Sequence, residues 1–319
     1  MPIDSRVEFD LIARIRARAG PGDPDLLVGI GDDAAVFLPT PGLALVSTTD
    51  SLVAGRHFRP DWSAADLGHL ALAANLSDLA AMGARSRWAL LSLTLPAADP
   101  VWLDGFLDGF LALAQSTRTT LIGGNLASGP LNLGVQLIGE VEPERIARRG
   151  GAREGDRILV TGSLGDAAAA LELSERAGPE LERRLRRPEP RLAAGRRLAG
   201  RVSALIDVSD GLLADLGHLL PPGSGAEIEL GQLPASRALS AAFADPEQRW
   251  PLQLGGGNDY ELLMTAAPGQ VPVLAARMEE LGLELSDIGT LTGRAGLRCL
   301  RPDGSVLDPA SIGWDHFAD

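Results

Sequence analysis

The stretch "VGIGDDAAVF", Val28 to Phe37, sets a glycine turn directly before two adjacent carboxylates, Asp32 and Asp33, and then returns to apolar residues. Gly and Asp are both common turn residues, so a plain surface turn is one reading. The other is a place where backbone amides and carboxylates meet a metal-bound phosphate. What lies on either side of this stretch decides between them and sets the fold class.

The chain has 319 residues, 45% of them hydrophobic, which is enough for one large domain or two. No run reaches the roughly 18 apolar residues of a membrane span. The first residues, "MPIDSRVEFD", show no basic segment leading into an apolar one, so a cytoplasmic protein is expected. One cysteine, Cys299, excludes an internal disulfide framework and a cysteine cluster for zinc, and four scattered histidines offer no histidine-rich site. Any metal should be a hard cation held by oxygen. The net charge of -13 argues against nonspecific nucleic-acid binding. The arginine-rich "LERRLRRPEPRLAAGRRLAG", Leu181 to Gly200, reads as a solvated helix broken near Pro188 and Pro190, with a phosphate or partner contact as the alternative.

Outward from the opening stretch, sheet and helix patterns alternate. "VEFDLIARIRARA" and "DLGHLALAANLSDLAAMGA" read as helices, and another begins near "DPVWLDGFLDGFLALA". "LALVSTTDSLVAG", "RWALLSLTL", "TTLIGGN" and "LNLGVQLIGEV" read as strands. The polar stretch Glu142 to Asp156 has few apolar anchors and is the expected boundary, giving domains at 1–145 and 146–319. Beyond it, "RILVTGSLGDAAAALEL" is strand, glycine turn and helix, without the spacing of a dinucleotide fingerprint or the lysine of a P-loop. "SALIDVSDGLLADLGHLL" delivers Asp207 on a strand and sets Asp210 where a helix should begin. "LGGGNDYELLMTA" runs through Asp259 into an apolar strand.

Asp32, Asp33, Asp50, Asp78, Asp207 and Asp210 thus form a candidate constellation. Asn75, Asp78 and Met82 share one side of their helix, which turns Asp78 away from the apolar stripe of Leu72, Leu76 and Leu79. Each aspartate alone is an ordinary turn, cap or surface residue. Gathered together they suit magnesium, and a cation is the physical reason such like charges could share a pocket.

In order, "GIGDDAAV", "STTDSLVAGRHF", "NLSDLAAMGA", "LIGGN", "VTGSLGD", "DVSDGL", "GGGNDYEL" and "GWDHF" resemble the thiamine-monophosphate kinase family, whose superfamily includes aminoimidazole ribonucleotide synthetase and selenophosphate synthetase. The resemblance runs over roughly residues 7 to 317. It implies an α/β fold of mixed α+β layers: two domains of the aminoimidazole ribonucleotide synthetase type, with N-terminal sheets associating across a homodimer. "ALVSTTDSL" and "WALLSLTL" are the candidate edges for that association.

The same resemblance implies transfer of the terminal phosphoryl group of ATP to thiamine monophosphate, assisted by Mg2+. Asp32, Asp50, Asp78, Asp207 and Asp210 would be the magnesium-linked carboxylates, with Asp32 and Asp210 closest to the chemistry. Gly29, Gly31, Asp33, Thr49, Gly123, Gly124, Asn125 and Ser209 would face the nucleotide, and His57, Asp259 and Trp314 the acceptor. Neither nucleic acid nor membrane is an expected partner. Two positions depart from the family pattern: Asn125 stands where a metal-associated Asp is usual, and Asn258 where an acid is usual. An amide still offers a carbonyl oxygen but no charge. Two further readings therefore accompany the first: an ATP-dependent enzyme on another small phosphorylated acceptor, and a weakly catalytic regulatory relative.

Overall fold

The computed structural model describes residues 6–20, 22–309 and 313. The chain divides into two compact units. The first takes in the chain up to Leu79 with Ala84–Pro143, and the second takes Ala80–Gly83 with the chain from Glu144 onward.

In the first unit the four strands of the main sheet lie in the order Ala44–Val53, Asn132–Val141, Arg85–Leu95, Thr120–Ser128. The first three run antiparallel and the last pair parallel. Residues directly opposite one another share a face. One face carries Thr48, Leu137, Ala89 and Leu121, then Asp50, Val135, Leu91 and Gly124; the other carries Thr49, Gln136, Leu90 and Gly123, then Ser51, Gly134, Ser92 and Asn125. Of the two expected edges, only Ala44–Val53 is one. "WALLSLTL" lies in an interior strand paired on both sides, with Trp88, Ala89, Leu91 and Leu93 buried and Ser92 exposed.

Two helices supply most of the core of this unit, and Arg6–Ala19 adds Leu11 and Ile15. Ala64–Ala81 is apolar nearly all round, and between Leu70 and Ala81 every residue is buried except Asp78. Pro100–Thr117 starts at Asp99, whose Oδ1 accepts the Val101 and Trp102 amides at 2.9 and 3.1 Å, with proline at the first helical position where no amide is needed. The helices meet backbone to backbone: a Cβ at Gly68 would stand 2.0 Å from the Phe106 carbonyl oxygen, and one at Gly109 would stand 1.8 Å from that of Ala65. Phe106, Phe110 and Trp88, all fully buried, supply the largest apolar contribution.

In the second unit the sheet order is Val306–Leu307, Gly296–Leu300, Gly225–Glu229, Leu285–Thr292, Arg157–Thr161, Leu262–Ala266, Ala204–Asp207. All neighbours are antiparallel except Gly296–Leu300 beside Gly225–Glu229. Alternate residues of the same strands feed two separate cores. Ile158, Val160, Ile206 and Leu263 enter one; Leu159, Leu205, Leu262 and Met264 enter the other. Both faces are therefore covered. The arginine-rich stretch breaks at its prolines as expected, into helices Pro179–Arg186 and Leu192–Leu198. It is not simply solvated: Arg184 and Arg191 are only 12% exposed and pair with the carboxylate of Glu261, which is fully buried.

Replacing Gly109 by alanine drives a methyl into a carbonyl that cannot move, so a loss of about 2 kcal/mol is expected despite the gain in helix propensity. Gly105→Ala, on the same helix with its nearest neighbour the Ala64 Cβ at 3.3 Å, should change stability by less than about 1 kcal/mol. Urea midpoints of the two variants check this; equal losses would contradict it.

Candidate active site

Within the first unit, the Ala44–Val53 edge and the Ala64–Ala81 helix present Asp50 and Asp78 together. The Asn75 Oδ1 accepts the Asp50 amide at 3.0 Å while its Nδ2 donates to the Ala71 carbonyl at 3.1 Å, which ties strand to helix. The Thr48 hydroxyl donates to Asp78 Oδ2. Asn75 itself is buried, so of the expected polar side of this helix only Asp78 and Met82 reach toward the surface. His57, half-buried just past the strand, accepts the Val53 amide on Nδ1 at 3.0 Å, which fixes the neutral ring with its proton on Nε2.

The turn Gly29–Asp33 begins at the opposite edge of the same sheet, where a Cβ on Gly29 would lie 3.9 Å from the Ile122 carbonyl oxygen. Gly31 has φ +111°, a conformation that favours glycine, and faces the Arg16 guanidinium. Asp32 and Asp33 are both exposed, and Asp32 Oδ1 accepts the Asp33 amide at 3.0 Å. Gly124 has φ +151°, and a Cβ there would meet the Leu91 carbonyl oxygen at 1.8 Å. Thr49, Gly123 and Asn125 lie on the sheet face opposite to Asp50, with Thr49 and Asn125 exposed. Thr49 donates its hydroxyl to the Val135 carbonyl at 3.1 Å.

In the second unit, three loops leave one end of adjacent strands, since Leu262 pairs with Asp207 on one side and donates its amide to the Thr161 hydroxyl oxygen on the other. They are "VTGSLGD", "DVSDGL" and "GGGNDYEL". Asn258 and Tyr260 both have positive φ, +63° and +50°, and their amides donate to the Ser209 and Val208 carbonyls at 2.8 Å. Between them Asp259 is buried and accepts the Gly165 amide at 3.0 and 3.1 Å. Burial holds its carboxyl well above the ordinary range, against the pull of that amide and of Arg184. Asp259 thus faces the protein interior. Asp207 is buried at its strand end, while Ser209 and Asp210 are half-buried. Gly313 lies close to Asp210, where a Cβ would come 2.8 Å from its carbonyl oxygen; Trp314 lies outside the described residues.

Several anchors were not singled out by the sequence. Asp215 Oδ2 accepts the amides of Ser209, Asp210 and Gly211 at 3.0, 3.1 and 3.1 Å, so the backbone of this loop is already occupied. Its pKa is pushed up to about 6 by burial and by the charge of Asp210, and the amides oppose this. Glu261 accepts from Thr161, Arg184 and Arg191, and Asp166 from Ser163, Ser236 and Arg184. A signal existed in the sequence: an acid inside an apolar strand pattern, "DYELLMTA", demands a buried cation. In the first unit, Glu140 plays the corresponding role between Arg85, Arg87 and Thr40.

Burial alone would raise the Glu140 pKa, but the Thr40 amide, Arg85, the Thr40 hydroxyl and Arg87 outweigh it and bring it from 4.5 to about 2. The charged carboxylate contributes stability that is full above pH 4.5 and is lost as pH falls through 2. The facing charges are Arg85 and Arg87, with Asp23 and Asp25 beyond Arg87. Glu140→Gln is expected to lower stability at pH 7 by up to about 3 kcal/mol. The gap to wild type should narrow as pH falls from 4.5 toward 2 in urea titrations, and a gap independent of pH would contradict the assignment.

Residues 31–141 match the family AIR synthase related protein, N-terminal domain, and residues 153–300 match AIR synthase related protein, C-terminal domain. These two matches define the class. The chain is 41% identical over 320 residues to thiamine-monophosphate kinase of Escherichia coli, covering 98% of each. The crystal structure of thiamine-monophosphate kinase from Stenotrophomonas maltophilia is similar with a TM-score of 0.85 and 43% identity, over 94% of this chain and 98% of that one. AaThiL complexed with AMPPCP and TMP is similar with a TM-score of 0.75 and 32% identity, over 99% of both. The chain belongs to the thiamine-monophosphate kinase family.

Proposed function

We infer that the chain is an ATP-dependent phosphotransferase that converts thiamine monophosphate to thiamine diphosphate. The observation that carries this is its 41% identity to the Escherichia coli thiamine-monophosphate kinase over 98% of both chains. The structure of AaThiL with AMPPCP and TMP, an ATP analogue and the acceptor, supports the same substrates. In the reaction a phosphate oxygen of thiamine monophosphate attacks the γ-phosphorus, the bond to the β–γ bridging oxygen breaks, and ADP leaves. The acceptor is already an oxyanion, so alignment and charge neutralisation matter more than a strong base.

The donor set fits magnesium: exposed Asp32, half-buried Asp50, Asp78 and Asp210, all hard oxygen ligands. Asp207 is buried and fits less well at the metal itself. Bound there, magnesium would draw charge from the transferring phosphoryl group. Gly29 to Asp33 would receive phosphate oxygens on its turn, Ser209 would contribute its side chain because its amide already serves Asp215, and His57 would stand near the acceptor.

Among the described residues, no group of three His, Cys, Asp or Glu side chains is assembled to hold a metal. The first unit shows why. Asp50 and Asp78 stand at one edge of its sheet and the Gly29 turn begins at the other, three strand spacings or about 14 Å away. Metal ligands sit about 2 Å from the ion. A homodimer in which the open Ala44–Val53 edge of each subunit meets the Thr120–Ser128 edge of the other would set Asp50 and Asp78 beside the second copy's turn, and we take that dimer as the working form. Among the described residues no helix is long and apolar enough to cross a membrane, and a cytoplasmic site of action is part of the proposal.

The test is a product assay with ATP, magnesium and a panel of thiamine phosphates. ADP and thiamine diphosphate should appear in equal amounts with thiamine monophosphate alone, and turnover of a different acceptor in its place would overturn the reading. In ATP titrations with and without magnesium, Asp78→Asn, shown to be folded, should blunt the enhancement of ATP binding by magnesium about tenfold; an enhancement equal to wild type removes Asp78 from the metal set. Sedimentation at assay concentration should give a dimer, and a fully active monomer would end the shared-site account.

A further inference from the structure

The turn Gly29–Asp33 has little structure of its own to hold it. Its flanks, Leu26–Val28 and Val36–Phe37, form a separate two-stranded sheet, and ribbons this small are marginal in water. What holds the ribbon is a clamp at its base. Arg87 Nη2 donates to Asp25 at 2.7 Å and to Asp23 at 3.0 Å, just before the ribbon. Its Nη1 donates to Glu140 Oε2 at 2.8 Å and to the Thr40 hydroxyl at 3.2 Å, just after it. Glu140 Oε1 accepts the Thr40 amide at 2.6 Å, and Phe37 stacks on Trp88 with centroids 4.3 Å apart. The Glu140 side chain is fully buried and that of Arg87 is 11% exposed. The two interior groups therefore grip both ends of the segment that carries Asp32 and Asp33, while the turn itself is left open.

We propose that Arg87, Glu140 and Thr40 are positioning residues for nucleotide binding: by clamping both ends of the ribbon they hold Gly29–Asp33 in the arrangement that receives the phosphates. The inference rests on the reading of that turn as the nucleotide phosphate site. A planar guanidinium fork can bridge the two ends and a single ammonium cannot. If loss of the fork leaves the turn competent about a tenth of the time, apparent nucleotide affinity falls about tenfold.

The experiment titrates Mg·AMPPCP into Arg87→Lys, Thr40→Val, Thr40→Ser and the milder Asp25→Asn, with Asp32→Ala as the reference for the turn itself. It adds steady-state kinetics and amide exchange at residues 29–33. Arg87→Lys and Thr40→Val should raise Kd and the KM for ATP about tenfold, with kcat at saturating nucleotide within about twofold and faster exchange at the turn. Thr40→Ser should restore binding, and Asp25→Asn should fall between. A variant that merely folded less well would lower kcat and leave KM unchanged, which overturns the inference. Unchanged Kd in the clamp variants beside weakened binding in Asp32→Ala overturns it with the phosphate reading intact. Unchanged Kd in Asp32→Ala as well removes the phosphate reading and the inference together.

Discussion

A carboxylate taken out of water must be met by donors, and the loops of this protein are built around that requirement. Glu140, Asp215, Asp259, Asp166 and Glu261 are buried, and each collects amides, hydroxyls or arginines; Asp215 takes its amides from the loop of Ser209 and Asp210, and Glu140 its amide from Thr40, at the base of the ribbon that carries Asp32. The aspartates assigned to magnesium behave differently. Asp32 is exposed, and Asp50, Asp78 and Asp210 are half-buried, so most of that set keeps access to solvent and to a ligand. One set of acids shapes the backbone and the other is presented by it.

This division explains the strained positions. Asn258 and Tyr260 both adopt left-handed conformations, which non-glycine residues rarely accept, and the buried Asp259 between them bonds to the Gly165 amide. The turn is held because its neighbours donate into the Ser209 and Val208 carbonyls, which couples "NDYEL" to "DVSDGL". Gly162 follows the same logic: a Cβ there would stand 2.1 Å from Glu261 Oε1, so the arginine clamp on Glu261 and the glycine are one requirement. The chemistry needs phosphates placed without a base of unusual strength, and a fixed backbone with accessible carboxylates meets that need.

Much of this was legible from residue patterns, and what was missed has a common cause. Helical spacing and apolar alternation located the Ala64–Ala81 helix and the strands that deliver Asp50 and Asp207. The motif order led to the family to which the chain belongs. Pairing was less legible: "WALLSLTL" has the same composition whether it lies at an edge or inside, and only its partners decide. The arginine-rich stretch reads as solvated because charge runs usually are, and Arg184 and Arg191 reverse that through Glu261, 77 and 70 residues away. Asp215, Glu140 and Arg87 escaped for the same reason. Their roles depend on which amides and carboxylates the fold brings to them, and spacing along the chain does not encode that.

In the proposed site the nucleotide's cation is held by solvent-facing carboxylates: Asp50 and Asp78, fixed through Asn75 and Thr48, and Asp32, on the turn anchored through Arg87 and Glu140. Crystals grown with manganese in place of magnesium, AMPPCP and thiamine monophosphate would reveal that ion through its anomalous signal. Manganese is expected at Asp50 and Asp78 of one subunit and Asp32 of the other, with the nucleotide phosphates beside the Gly29–Asp33 turn. Manganese and phosphates located away from all of these carboxylates would contradict it.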